Sequence, residues 1–495
     1  MNSGQHARQI KTLITGSTLV LAATASVFAQ QAPFSMPGTA QPPVPVPLPP
    51  AAKVATTNTV KLATNAAPAT TNITMAVAAA SATNGILHAV EESLGMKIPD
   101  AIAKGKVNVN VRLRYEQVDQ SNLSEQSYAP TIRTRVGYTT APLHGFQAMV
   151  EGENNTAIGP EDNYNAAGSN NEPNRPVVAD PPTTELSQAW LAYSYESLFK
   201  TKFGRQAINL DNQRFIGEVG WRQNGQYFDA ASFSSEPVEK LNLYYGYVWD
   251  VHRVFGDVSG LPATSPNHDF RSDSHFINAS YSGWKYGRFV GYSYLLDLDL
   301  HNGTAARYNN SCASYGGYFA GQAPVSDKIT ADYRAEFAYQ TDYADSTLDY
   351  NATYYNLEAG MSVKPVAFGA GYEVLGSGAN SGTGGGRTGF KTPLATLHAF
   401  TGWDDVFLNT PANGLQDFYV YFQINLPAQI PVRFIYHKYD SDHGSGNYGQ
   451  EYDVVASKKF GKYWTALLKY ACYNGDDAPA AYTVNKFWAQ VEFNF

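Results

Sequence analysis

From Gly105 to the last residue the sequence repeats with a period of two. In Val107–Asn108–Val109–Asn110–Val111–Arg112–Leu113–Arg114–Tyr115–Glu116 every odd position is apolar or aromatic and every even one polar or charged. The last segment repeats the pattern, with Phe487, Ala489, Val491, Phe493 and Phe495 alternating with Trp488, Gln490, Glu492 and Asn494. Successive side chains of a strand point to opposite faces, so this spacing specifies strands with one apolar face. A half-buried strand of a soluble sandwich reads the same way, and the connectors separate the two cases. Eighteen candidate strands begin near Gly105, Thr131, Gly145, Thr184, Leu198, Gln226, Val238, Arg271, Tyr286, Ser311, Ile329, Tyr350, Pro365, Leu415, Ile430, Gln450, Lys462 and Tyr482. The even connectors are tight, such as Ala141–Pro142–Leu143–His144, Lys364–Pro365 and Pro427–Ala428–Gln429, whereas odd ones such as 154–183, 208–225 and 376–413 are long and polar. Short turns on one rim and long loops on the other are the pattern of a transmembrane antiparallel β-barrel. The fold class is therefore all-β, a barrel of about 18 strands with 16 as the alternative. Closure is required, because hydrocarbon cannot satisfy an open strand edge.

The N-terminal part has a different character. Arg8 and Lys11 precede an apolar stretch from Leu13 to Val27, and small residues lead to Ala29, which reads as a signal peptide over 1–29. Residues 30–83 form a disordered tail rich in Pro, Ala and Thr, with eight prolines between Gln31 and Pro50 that favour an extended spacer. Over 84–104, Ile86, Leu87, Val90, Leu94 and Ile102 fall near helical spacing, interrupted by Gly95 and Pro99, and predict a short broken helix. The barrel occupies 105–495. With 34 Tyr, 25 Phe and only 16% charged residues the chain as a whole is not disordered, and two cysteines exclude a disulfide scaffold. A net charge of -8 argues against nucleic acid as a partner.

Parity assigns the faces of the wall. With Val107 to Tyr115 toward lipid, Arg112, Arg114 and Glu116 face inward, and so do Arg133 and Arg135 on the second strand and Glu151 and Glu153 on the third. The same test puts Arg334, Glu336, Arg433 and Glu492 inside. An Arg or Lys on the lipid face at the midplane costs about 2–4 kcal/mol, so this parity is strongly enforced. Arg112, Arg114, Arg133 and Arg135 sit on neighbouring strands and would form one basic cluster. Arginine offers a fixed fork of donors suited to carboxylates, and such a cluster near a constriction reads as an anion-selective passage. The alternative is that these arginines pair with Glu151, Glu153 and Glu336 and only keep the wall satisfied.

Two blocks resemble a known family. Gly204–Arg205–Gln206–Ala207–Ile208–Asn209–Leu210–Asp211–Asn212–Gln213–Arg214–Phe215–Ile216–Gly217, continuing through Gly220–Trp221–Arg222–Gln223–Asn224, is similar to the alginate export family of outer-membrane porins. So is Lys391–Thr392–Pro393–Leu394–Ala395–Thr396–Leu397–His398–Ala399–Phe400 with Gly402–Trp403 and Gly414–Leu415–Gln416–Asp417. The resemblance implies an eighteen-stranded barrel in the outer membrane of a Gram-negative bacterium, an arginine-rich pore and an anionic polysaccharide such as alginate as solute. It implies pore or loop roles for Arg205, Arg214 and Arg222. The family's long periplasmic lid loop has no counterpart among the even connectors, so either the lid is absent or the 84–104 segment does its work, which puts alginate itself in question. The final strand ending in Phe495 resembles the insertion signal read by the barrel-assembly machinery, which would make that machinery a partner alongside membrane lipid and lipopolysaccharide.

Other chemistries lack a signature. The ten histidines show no His-x-x-x-His spacing and the cysteines no Cys-x-x-Cys, so no metal site or cofactor is expected. Cys312 and Cys472 fall on the tenth and seventeenth strands, too far apart to bridge. The glycine-rich stretch 376–389 lacks the Gly-Lys-Ser/Thr ending of a phosphate loop and reads as a mobile outer loop. The expectation is a non-enzymatic outer-membrane channel for passive diffusion or export of an anionic small molecule or polysaccharide, with its N-terminal tail in the periplasm. The alternatives are a structural or adhesive barrel with a blocked lumen and, less favoured, a barrel enzyme.

Overall fold

The computed structural model describes residues 98–495 apart from 197, 257–260, 262–264 and 301–309. The signal-peptide and tail assignments, and residues 84–97 of the helical segment, lie outside the described residues. What is described of that segment is one helical turn, Ile98–Ala103.

The alternating segments form eighteen barrel strands: β1 Lys106–Gln120, β2 Ser127–Thr139, β3 Phe146–Ala157, β4 Thr183–Tyr195, β5 Phe199–Gln206, β6 Tyr227–Val238, β7 Leu241–His252, β8 Phe270–Trp284 and β9 Gly287–Leu296, then β10 Cys312–Ser326, β11 Ile329–Asp342, β12 Asn351–Val363, β13 Val366–Leu375, β14 Leu415–Leu426, β15 Ile430–Asp440, β16 Asn447–Phe460, β17 Trp464–Asn474 and β18 Thr483–Asn494. Leu298–Leu300 continues β9 beyond Asp297 and pairs with β8. Each strand pairs antiparallel with its sequence neighbours, and β1 pairs with β18 from Asn110↔Asn494 to Gln120↔Val484, which closes the barrel. The C-terminal residue seals the seam, its N–H on the Val109 carbonyl at 2.9 Å and its own carbonyl accepting from Val109 at 3.2 Å.

Exposure follows parity along β1 and β2. Val107, Leu113 and Val136 lie bare on the outside, while Arg112, Arg114, Glu116 and Arg133 between them are buried. Apolar side chains stand exposed on nearly every strand, the surface that a hydrocarbon belt would cover. The connectors also fall as the alternation demands: β10–β11 and β12–β13 turn within two residues, whereas 207–226 and 376–414 are long.

The long connectors depart from the expectation of outer loops. The glycine-rich stretch forms a hairpin, Ser377–Ala379 against Arg387–Gly389, and the chain that follows buries Phe390, Leu394, Trp403 and Phe407. The 207–226 loop likewise buries Ile208, Phe215, Ile216 and Trp221. Of these, Ile208, Phe215, Ile216, Phe390, Leu394 and Phe407 join inward residues of the wall, among them Phe228, Phe276, Tyr294, Tyr354 and Tyr439, in one continuous apolar cluster inside the barrel. The physical reason is composition. Loops carrying this many large apolar groups gain about 1.5–3 kcal/mol for each one buried, and the barrel interior is where they can be buried together.

Candidate functional site

The 207–226 and 376–414 loops interlock across the lumen. Ile216 and Leu394 form a parallel bridge, the Gly217 N–H donates to the Leu394 carbonyl at 2.9 Å, and the Thr396 N–H donates to the Gln213 carbonyl at 3.0 Å. The Gln226 amide donates to the carbonyls of both Gly217 (2.8 Å) and Leu394 (3.1 Å). Gly217 is required at this crossing, since a Cβ there would stand 2.3 Å from Thr396 Oγ1. Val219 (φ 52) and Thr401 (φ 52) hold left-handed backbone that β-branched residues avoid. Such residues cost about 1–3 kcal/mol each, so the surrounding contacts must hold the loops in place.

Those contacts reach opposite walls. On one side Asp211 accepts from Asn278 Nδ2 and Tyr318 Oη, each at 2.7 Å, and Arg214 forks onto Glu373 at 2.8 and 3.2 Å. On the other, Arg112 Nη1 reaches the carbonyls of Gly220 (3.0 Å), Trp221 (3.2 Å) and Arg222 (3.3 Å), and Arg133 Nη1 reaches those of Arg222 and Gln223 at 3.4 Å. Arg114 forks onto Gln490 at 3.0 and 2.7 Å and lies 4.1 Å from the Trp221 ring centroid. Glu492 accepts from both Arg112 (3.2 Å) and Arg133 (3.4 Å). The three wall arginines thus grip the returning limb of the loop and are shielded from solvent by it.

Arg222 is the loop's own hub. It contacts Glu116 at 3.1 Å, Asp405 at 2.8 Å and Asp180 at 3.7 Å. Burial lowers its pKa, but the three carboxylates outweigh burial and raise it. Beside it, Asp405 accepts from His398 Nδ1 at 2.6 Å, and His398 Nε2 faces Lys469 Nζ at 2.7 Å. An ammonium can only donate, so His398 Nε2 must accept and the ring proton belongs on Nδ1. Burial lowers the His398 pKa well below its ordinary value, which agrees with a neutral ring. Burial would push the Asp405 carboxyl up, yet His398, Lys486 and Arg222 hold it well below the usual carboxylate range. Lys469 Nζ is caged by the rings of Trp403 (3.7 Å), Trp221 (4.2 Å) and Trp488 (5.1 Å). One tryptophan comes from each loop and one from the wall, so a single ammonium joins all three.

The remaining residues singled out by sequence lie apart from this junction. Arg135 pairs with Glu153, which also accepts the Gly225 N–H at 3.1 Å. Glu151 accepts from Ser187 at 3.0 Å and Gln188 at 3.2 Å. Arg334 pairs with Glu336 at 2.6 Å and lies 3.8 Å from the Tyr318 ring centroid, while Arg433 lies 4.3 Å from that of Tyr421. Arg205 forks onto Asp229 at 2.9 and 3.2 Å and shares its face of β5 with exposed Phe203, so it belongs to the outer surface near the long-loop rim. Arg288, absent from the sequence reading, also faces inward, with its side chain 44% exposed.

Sequence reasoning missed Lys469, His398, the three tryptophans and the acids Asp404, Asp405, Glu451 and Asp453. The inward parity of Lys469, between Leu467 and Ala471, was a usable signal; nothing in the spacing marked the loop acids. Among the described residues no three His, Cys, Asp or Glu side chains are placed to hold a metal ion. Both cysteines are free.

Residues 103–447 match the family model for alginate export. Solved structures with the same fold include Pseudomonas aeruginosa OccD3 (OpdP), at 14% identity over 80% of this chain and 92% of that one, with a TM-score of 0.57. Acinetobacter baumannii OccAB4 aligns at 13% identity over 80% and 99% with a TM-score of 0.57, and P. aeruginosa OpdK, solved with vanillate, at 10% over 79% and 98%, also 0.57. No curated protein matches the sequence significantly.

Proposed function

The chain belongs to the alginate export family, and from that premise we propose that it is an outer-membrane channel passing an anionic solute through the barrel, with the short-turn rim in the periplasm. What supports the anionic reading is the inner wall toward that rim. There Arg288, Arg334 and Arg433 point inward and all three lie over tyrosine rings, Arg288 reaching Asp211 of the 207–226 loop at 3.5 Å and Arg334 forked onto Glu336. Planar forks beside flat aromatic faces suit a carboxylate carried on a ring. A uronate fits that description, and so does vanillate, which is bound in a structure of the same fold. Arg112, Arg114 and Arg133 then act indirectly, by holding the 207–226 loop that sets the constriction. The lumen acids Glu151, Glu153, Glu336 and Glu492 balance the basic wall.

The test is conductance of the purified chain in planar bilayers under a salt gradient. The reading expects current with a reversal potential on the anion side, moved toward neutrality by Arg334→Ala with Arg433→Ala. Current without anion preference would refute the anionic reading. Silence at every voltage would favour the structural or adhesive barrel, for which the loops filling the lumen are the specific supporting observation.

A further inference from the structure

Where the 376–414 loop meets β16, acids are buried without bases to match them. Asp404 on the loop and Asp453 on the wall are each 3% exposed, and among the described residues no donor lies in hydrogen-bond geometry on any of their four carboxyl oxygens. Glu451, two residues before Asp453 on the same face of β16, is fully buried and accepts the Asp404 N–H at 2.8 Å. Gly402 lets the loop come this close, since a Cβ there would stand 2.2 Å from Tyr439 Oη and 2.3 Å from Glu451 Oε2.

The bases nearby are committed elsewhere. From β15, His437 Nδ1 is on Asp417 of β14 at 2.9 Å, leaving Nε2 at 3.8 Å from Asp453. From β17, Lys469 Nζ is on His398 and inside the tryptophan cage. From β18, Lys486 is on Asp405 at 2.8 Å, and Arg222 of the other loop is shared between Asp405 and Glu116 of β1. Arg114 of β1 is on Gln490, Asp405 next along the loop is itself an acid, and the nearby hydroxyls of Tyr439 and Tyr473 carry no charge. Three buried carboxylates that share only the far edge of His437, at 3.8 Å from Asp453, and the caged ammonium of Lys469 cannot all ionise. Burial, then the Glu451 charge, pushes the Asp404 carboxyl up to about 9.

We propose that a proton held among Asp404, Glu451 and Asp453 clamps the 376–414 loop to the wall, and that the lumen opens as rising pH removes it. Without the proton, like charges on loop and wall repel, and only the loop can move, because the wall strands are bonded on both sides. Release wets the carboxylates and returns Asp404 to the ordinary carboxylate range. The clamp is therefore strongest in acid, and each pH unit between that range and about 9 favours release by up to tenfold per proton. Above that window the balance levels off.

The opening rests on the channel reading, so the experiment separates the two. Hydrogen exchange of the full chain in detergent micelles, read as protection factors between pH 5 and 9, should show protection of 398–407 falling several-fold per pH unit while the wall strands hold theirs. Open probability in bilayers should rise in parallel. Asp404→Asn with Asp453→Asn, which mimic the protonated acids, should keep the loop protected at pH 9. Protection of the wild-type loop that does not change with pH overturns the proposal, as does an undiminished pH dependence in the double variant. Should that variant fail to fold, the wild-type titration decides alone. A loop that loosens with pH in a barrel that never conducts upholds the clamp and refutes the channel; current with pH-independent protection does the reverse.

Discussion

Replacing Arg222 by methionine keeps the length and apolar stem of the side chain and removes the charge on which the 207–226 loop is centred. Glu116 would then stand fully buried in β1 with no other cation within ion-pair distance among the described residues, whereas Asp405 keeps Lys486 and His398 and Asp180 keeps Arg114 at 3.7 Å. Breaking a buried pair by removing one partner costs about 3–5 kcal/mol. The barrel need not absorb that cost by unfolding, since β1 is held by ladders to β2 and β18. The cheaper relief is for the loop to lift and let water reach Glu116. At about 1.4 kcal/mol per tenfold, the closed-to-open ratio should fall by roughly two to three orders of magnitude. Single-channel recording would show this as long openings of larger conductance, and hydrogen exchange as lost protection over 218–226. Arg222→Lys should fall between, because an ammonium cannot fork across Glu116 and Asp405 as a guanidinium does. Adding Glu116→Gln to Arg222→Met should restore most of the closure. Conductance and protection identical to wild type in Arg222→Met would refute the idea that this pair holds the loop.

The other expectations are briefer. Lys469→Met should leave the barrel assembled but free both loops, read as faster exchange over 398–407 and 218–226 together; loosening of one loop alone would contradict a shared cage. Gly217→Ala should break the crossing at Thr396 and raise open probability without altering ion selectivity, measured by reversal potential. Arg112→Ala with Arg133→Ala, which removes the grip on the 220–223 carbonyls, should change conductance more than selectivity. Leu113→Arg, on the lipid face, should destabilise the inserted barrel by about 2–4 kcal/mol, read as a lowered urea midpoint in vesicles.

The wall was legible because its constraint is local. A residue of β1 or β11 faces either hydrocarbon or the interior, and its neighbour faces the other way, so Arg112, Arg334 and Glu492 could be placed from a one-residue pattern. The connectors carried equally local information in their lengths. The lumen was not legible, because what fills it depends on residues far apart in sequence. Arg222 meets Glu116 and Asp405, and Lys469 meets His398, Trp221 and Trp403. Read as loops, 208–225 and 376–413 looked polar, and the apolar residues scattered through them carry no periodicity to reveal that they pack against each other. An inward arginine meets solute only where the lumen contains water, and parity alone does not say where that is.

That distinction changes what the basic wall can do. An arginine bound to three backbone carbonyls, as Arg112 is, has its donors occupied and offers little to a passing anion. It governs passage through the position of the loop it grips. Arg288, with nearly half of its side chain exposed, and Arg433, over Tyr421 and with no ion pair among the described residues, are the groups able to meet a solute directly, with Arg334 beside them forked onto Glu336. The interior therefore divides the two tasks of a selective channel between two sets of bases, one holding the gate and one facing the path. Substitutions in the first set should alter how often current flows, and substitutions in the second which ion carries it. A variant of Arg334 and Arg433 that changed only open probability, or one of Arg112 and Arg133 that changed only the reversal potential, would show that the division is drawn in the wrong place.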